Sequence, residues 1–122
     1  MRSSTRLLAA IVLAAAAAVS GCASMITGGP LIRPGEPTGV IRIVNQTGGQ
    51  IHAVLISDCS ASTYGLNRLP SGMAVPNGGQ YDFTVSAGCW DVDAGTLGVG
   101  EARQRMHIPA NAIQPYVVGP VQ

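Results

Sequence analysis

From Gly39 onward the chain is a series of short β-type runs separated by turn-forming residues. Val40–Val44 is a β-branched run, and Gln80–Val85 and Glu101–Ile108 alternate between two kinds of side chain. Alternation places successive side chains on opposite faces of a strand, while Gly, Pro and Asn between the runs favour turns. This part of the chain is therefore expected to be built from strands, with no amphipathic helix of useful length.

The spacing predicts about seven short strands, with turns about every eight to twelve residues. This pattern is typical of an all-β fold, and we expect a small antiparallel β-sandwich with Ig-like architecture. A small barrel is the alternative. The expected strands cover 40–44, 50–57, 73–75, 80–85, 89–94, 101–108 and 116–118. The Gly-containing loop between the first two runs favours a hairpin.

The first 21 residues differ in composition from the rest. A basic start with Arg2 and Arg6 precedes the apolar run Leu7–Val19, which is shorter than the about 20 residues that cross a bilayer. A basic start, a short apolar run and small residues before a cleavage point are typical of an export signal. The run ends in Val19-Ser20-Gly21-Cys22, which resembles the lipobox of bacterial lipoproteins.

This resemblance implies that residues 1–21 are removed and that the sulfur of Cys22 carries a diacylglyceryl group. The new amine would usually be acylated as well, for example with palmitate, and two or more acyl chains anchor a protein firmly. Ala23 stands where Asp would retain such a protein in the inner membrane, which implies an outer-membrane anchor with the domain in the periplasm. The alternative is an ordinary signal peptide cut near the same place.

Ala23–Thr38 contains three prolines and three glycines, which disfavour both a helix and a central strand. We expect residues 22–38 to be the lipidated N-terminus and a flexible tether, and residues 39–122 to be the β-sandwich domain. In the alternative, Leu31 and Ile32 pack on the domain as an irregular edge.

Two cysteines remain when Cys22 carries lipid. Outside the cytoplasm such cysteines usually pair, so we expect a disulfide between Cys59 and Cys89. Closing this loop would stabilise the domain by roughly 3–4 kcal/mol. A reactive thiol or a metal pair is the alternative, but the chain has no Cys-x-x-Cys motif.

Charge is sparse beyond Cys22: five arginines, six acids and no lysine. Binding to nucleic acid requires a basic patch, so this composition argues against a nucleic-acid partner. Membrane contact is expected from the lipid on Cys22.

Two carboxylates, Asp91 and Asp93, lie two residues apart and should project from one face of a strand. Such a pair can bind Ca²⁺ or share a proton, but the residues that follow do not match an EF-hand loop. We therefore expect a solvated face of the sandwich, on which Arg103 and Arg105, with the same spacing, can pair with the two acids across strands.

Other signs of chemistry are weak. No Gly-x-Ser-x-Gly or Ser-x-x-Lys motif frames a nucleophile, and no glycine-rich loop has the Lys and helix of a phosphate site. We therefore expect no cofactor and no enzymatic activity. His52 and His107 lie on expected strands as ordinary surface residues. Tyr64, Arg68 and Trp90 are candidates for an interaction surface, although Trp90 could instead pack in the core against the disulfide.

Three short motifs, Asn45–Gly48, Asn67–Leu69 and Gly88–Asp91, resemble those of small exported bacterial β domains. The resemblance implies a β fold and supplies no activity. The sequence as a whole predicts an outer-membrane lipoprotein that acts as a non-enzymatic binding or scaffolding module and contacts an envelope protein. The alternatives are a small metal-dependent or hydrolytic enzyme using Asp91, Asp93 and a His, and a surface-exposed ligand binder.

Overall fold

The computed structural model describes residues 28–120, and their regular secondary structure is entirely β. The predicted signal, the lipobox and Cys22 lie outside the described residues. The six strands are β1 (Thr38–Asn45), β2 (Ala53–Asp58), β3 (Gln80–Ser86), β4 (Gly88–Thr96), β5 (Gly100–Ile108) and β6 (Ile113–Val118). The all-β prediction is confirmed, but the expected strand at 73–75 is reduced to an isolated bridge between Val75 and Ile51. Nothing in residues 28–120 is a helix of the length and hydrophobicity needed to cross a bilayer.

The strands form two three-stranded sheets. The first sheet has the order β3-β1-β6 and the second sheet the order β2-β4-β5. Three of the four strand pairings are antiparallel, as predicted, but β1 and β6 are parallel. The predicted hairpin between the first two runs is wrong, because β1 and β2 belong to different sheets.

The core is formed by the apolar side chains that alternate along the strands. In β1, buried Ile41 and Ile43 are separated by half-buried Arg42, as expected for a strand with one face against another sheet. The largest fully buried side chain is Trp90 of β4. The core cluster contains Ile41, Ile43, Ile51, Val54, Ile56, Leu69, Val75, Phe83, Val85, Trp90, Val92, Ala94, Met106, Ile108, Tyr116 and Val118.

The segment 28–37 lies against the strands. The carbonyl of Leu31 accepts a hydrogen bond from the Ser86 amide at 2.8 Å, and the Leu31 side chain packs on the core. The Arg68 guanidinium donates to the Gly29 carbonyl at 2.6 Å. The predicted flexible tether therefore does not extend over this segment. The alternative of a packed irregular edge holds for Leu31, whereas Ile32 is 52% exposed.

A long loop, 59–69, leaves β2 and returns along the free edge of the same strand. The Arg68 amide donates to the Val54 carbonyl at 2.7 Å, and Asn67 Oδ1 accepts from the Val54 amide at 2.9 Å. Unpaired edge groups are a template for pairing with other chains, so this contact protects the edge of β2.

Candidate functional site

The outer face of the second sheet carries two ion pairs between β4 and β5. Asp91 lies opposite Arg105, and Asp93 lies opposite Arg103. Arg105 donates to both oxygens of Asp91, at 2.9 and 3.1 Å, and Arg103 Nε donates to Asp93 Oδ2 at 3.2 Å. The predicted cross-strand pairing of these residues is confirmed. Each carboxylate has a structural partner.

Asp93 is the unusual member of this face because it is buried. Its residue is 1% exposed, and its Oδ1 has no hydrogen-bond partner within residues 28–120. Burial and, after it, the neighbouring carboxyl of Glu101 raise the pKa of Asp93 to about 6. Arg103 acts in the opposite direction but does not cancel these effects. The arrangement favours the protonated form of Asp93.

The start of the loop 59–69 covers this charged face. The Arg103 guanidinium lies 4.9 Å from the centre of the Tyr64 ring, a cation–π distance. Arg105 also donates to the carbonyl of Cys59 at 3.2 Å. A cavity of about 80 Å³ lies beneath the loop. Its lining consists of Ser57, Ala61, Ser62, Thr63, Tyr64 and Asp91.

The predicted disulfide between Cys59 and Cys89 is present, with the two Cα atoms 5.6 Å apart. Beside it, Arg33 donates to Asp58 at 3.0 Å, and its guanidinium lies 5.2 Å from the centre of the Trp90 ring. A groove of about 380 Å³ lies between the segment 28–37 and the start of the loop. The residues that line it are Gly28, Gly29, Pro30, Arg33, Asp58, Ser60, Ala61 and Ser62.

The structure does not bring Tyr64, Arg68 and Trp90 together as an interaction surface. Trp90 is fully buried, and its Nε1 donates to the Ser86 carbonyl at 2.7 Å, so it is a core residue. Arg68 uses its guanidinium to hold the carbonyls of Gly29 and Ile56. Tyr64 contacts Arg103 and is the remaining candidate for recognition.

The two histidines lie away from any cluster of metal ligands. His52 Nδ1 lies 2.9 Å from Thr96 Oγ1, and His107 is exposed on β5 opposite Cys89. Within residues 28–120 the structure assembles no group of three or more His, Cys, Asp or Glu side chains that could hold a metal.

The motifs that resemble exported β domains supply structural residues. Asn45 joins the turns at one end of the domain, and Asn67 and Arg68 cover the edge of β2. The sequence did not predict the roles of two residues. Asn45 is the buried amide of the turn network, and Glu101 is the second acid that contacts Arg103. Glu101 lies opposite Gly95, so only knowledge of the strand register would have placed it beside Asp93.

The chain matches no protein-family model, and comparisons with curated proteins and with solved structures return no match. The site must therefore be interpreted from its own geometry.

Proposed function

We propose that the chain is a lipid-anchored module of the bacterial cell envelope that binds or positions another protein and has no enzymatic activity. The sequence Val19–Cys22 supports lipid attachment at Cys22. The disulfide between Cys59 and Cys89 is compatible with an oxidising compartment such as the periplasm. Ala23 favours the outer membrane as the site of the anchor.

The observation that carries this proposal is the fixed position of Gly28 and Gly29 on the sandwich. Gly28 is buried, and Arg68 holds the neighbouring carbonyl. Six residues of extended chain reach at most about 20 Å, so a lipid on Cys22 would keep the folded domain close to the membrane surface. The two three-stranded sheets support an Ig-like sandwich as the architecture of this short-tethered module.

A surface suited to a protein partner lies at the turn between β4 and β5. Leu97 and Val99 are 51% and 86% exposed there, and exposed apolar side chains next to one another are typical of interaction sites. A Cβ on Gly28 would lie 3.1 Å from the Ile56 carbonyl oxygen and the Ser57 Cβ, so Gly28 lies beside these residues. Ile56 and Ser57 pair with the middle of β4, whereas this turn lies beyond the end of that strand. The turn would thus extend away from the attachment point toward an envelope protein.

Intact mass of protein purified from membranes tests the anchor. We expect the mass of Cys22–Gln122 plus lipid, rising by about 2 Da on reduction of the disulfide. A Cys22→Ser variant should leave the membrane fraction. An unlipidated mature chain in the wild type would contradict the proposal.

Photo-crosslinking in cells tests the partner surface. A photoreactive residue at Val99 should give a discrete adduct with an envelope protein, and the same residue at exposed Ser71 is the matched control. Equal labelling at both positions would exclude the turn as a specific interface. Protease treatment of intact cells distinguishes a periplasmic domain from a surface-exposed ligand binder.

A further inference from the structure

The buried carboxyl of Asp93 lies in an environment that disfavours its negative charge. Its Oδ1 has no partner among the described residues, and its Oδ2 shares Arg103 with Glu101, whose Oε1 lies 3.9 Å from the Arg103 guanidinium. A buried ionised oxygen without a partner is costly, and a like charge beside it adds to the cost. A proton on Asp93 removes both costs, because the buried carboxyl is then neutral.

Other charged and titratable groups complete this environment. The neighbours of Asp93 on its own strand and on β5 are Asp91, Glu101, Arg103 and Arg105. The loop contributes Tyr64, and β6 contributes Tyr116. The β2 residue opposite Asp93 is Leu55, which cannot supply a hydrogen bond. One guanidinium, that of Arg103, therefore serves Asp93 and Glu101 and also stacks on Tyr64.

The loop above this cluster is fixed at its two ends and lightly held between them. The disulfide fixes Cys59, and hydrogen bonds to Val54 fix Asn67 and Arg68. Between these points, Ser62, Thr63 and Leu66 are exposed, and the Tyr64 ring on Arg103 holds the middle of the loop to the sheet. Hydrogen bonds to Asp58 also hold Ser60 and Ala61, so residues 62–66 have the geometry of a lid between two fixed points.

We propose that residues 62–66 form a lid over the outer face of the second sheet and that a proton on Asp93 keeps it closed. When the proton leaves, the buried carboxylate needs water at Oδ1, and both acids compete for Arg103. Lifting the lid admits water and releases Tyr64 from its contact. Opening would uncover Ser57, Asp91 and the charged face as a surface for a partner. The lid would operate whether or not Cys22 carries lipid.

Amide hydrogen exchange of the full protein, purified as the cell produces it, tests the lid. Protection factors of residues 62–66 are compared at about pH 5 and about pH 7.5 after correction for intrinsic exchange rates. In the wild type we expect protection to be about tenfold lower at the higher pH, because solvation lowers the pKa of the carboxyl by at least about one unit. Amides of β1 and β3 serve as the internal reference.

Two variants separate the proton from other causes. Asp93→Asn keeps an acceptor for Arg103 and carries no charge at any pH, so its lid should stay equally protected at both pH values. Glu101→Gln removes a like charge that raises the pKa of Asp93, so the loss of protection should become smaller and be complete at lower pH. Equal protection of the wild-type lid at both pH values, or the same loss in Asp93→Asn, would overturn the proposal. If Asp93→Asn does not fold, an unchanged midpoint in Glu101→Gln is the result that overturns it.

Discussion

Asn45 is a buried amide that joins three separate pieces of backbone. Its Nδ2 donates to the carbonyls of Gly49 and Val75, both at 2.8 Å, and its Oδ1 accepts from the amide and hydroxyl of Thr47. The residue is fully buried, so water cannot replace these bonds in the native state. The side chain of Asn45 therefore fixes the conformation of the turn that follows β1.

We expect Asn45→Ala to destabilise the domain by about 2–4 kcal/mol, because it removes the four hydrogen bonds that this fully buried side chain makes. Urea unfolding followed by Trp90 fluorescence measures the change. Asn77→Ala is the matched control: Asn77 is exposed and accepts a single hydrogen bond from Gly48, so its loss should cost under about 1 kcal/mol. Similar losses of unfolding free energy in the two variants would show that the buried hydrogen bonds of Asn45 stabilise the domain no more than an exposed one does.

Asp93 makes stability depend on pH in a direction opposite to that of most carboxyls. Burial raises its pKa from 3.8 to about 6, so its stabilising contribution is complete below about pH 3.8 and is lost as pH rises through about 6. Hydrogen bonds from Ser60 lower the pKa of Asp58, and hydrogen bonds from Arg42 lower that of Asp82. The contributions of these two carboxyls are present at neutral pH and are lost as pH falls through their lowered pKa values.

Asp93→Asn should therefore be more stable than the wild type at about pH 7.5, by roughly 1–2 kcal/mol, and nearly equal to it at about pH 4.5. Thermal unfolding at a series of pH values gives the difference between the two proteins. A variant that is less stable than the wild type at neutral pH would contradict the assignment of a strained carboxylate. Asp82→Asn, at an exposed ion pair, should show no gain at neutral pH.

The sequence could predict the ion pairs of this face but not the burial of one of their members. Spacing of two residues in Asp91 and Asp93, and again in Arg103 and Arg105, was enough to predict pairing across adjacent strands. Burial of Asp93, which is 1% exposed, depends on packing between segments distant in sequence, and residue spacing does not encode that packing. Nothing in the local pattern distinguishes Asp93 from a solvated acid.

At the scale of elements, the β4–β5 hairpin depends on a close approach at Gly95. A Cβ at this position would lie 2.1 Å from the Gly100 carbonyl oxygen, and the φ of +152° is rare for other residues. Gly98, in the turn of the same hairpin, has a φ of +77° but open space around it. Substitution at Gly95 therefore tests mainly steric conflict, whereas substitution at Gly98 tests backbone conformation alone.

We expect Gly95→Ala to cost about 3 kcal/mol or more, since the backbone of β5 would have to move. Gly98→Ala should cost about 1 kcal/mol, from conformation alone. Chemical denaturation of both variants measures the difference. Equal costs would mean that β4 and β5 can separate at this point without loss.

The wrong hairpin prediction shows that local sequence patterns do not determine which strands pair. Val40–Val44 and the following run looked like neighbours because a short Gly-containing loop joins them. In the structure β1 instead pairs with β3 and β6, and the loop carries the chain to the other sheet. A parallel pairing such as β1 with β6 has no short turn to signal it, so sequence spacing could not reveal it.

For the molecule as a whole, the disulfide joins the charged face, the loop and the central strand of the second sheet. Replacing both cysteines by serine should cost about 2–4 kcal/mol, mainly because the unfolded chain regains freedom. Cys89 is exposed, so the substitution at that position leaves no core cavity. Calorimetry of the double variant against the wild type, with the reduced wild type as a control, gives the cost. If the double variant and the reduced wild type each lost less than about 0.5 kcal/mol of unfolding free energy, the strand pairings alone would restrict the loop.

The parallel pairing of β1 with β6 also sets an order of assembly. The second sheet can form from β2, β4 and β5 while the end of the chain is still being synthesised, because the hairpin partners β4 and β5 are neighbours in sequence. The first sheet gains its third member when β6 arrives, and Val40 then lies opposite Ile113. Non-local pairings form slowly. The edge of β1 that pairs with β6 therefore stays unpaired until this last described strand is in place. During that interval the emerging chain carries an incomplete sheet, the kind of exposed surface that chaperones bind.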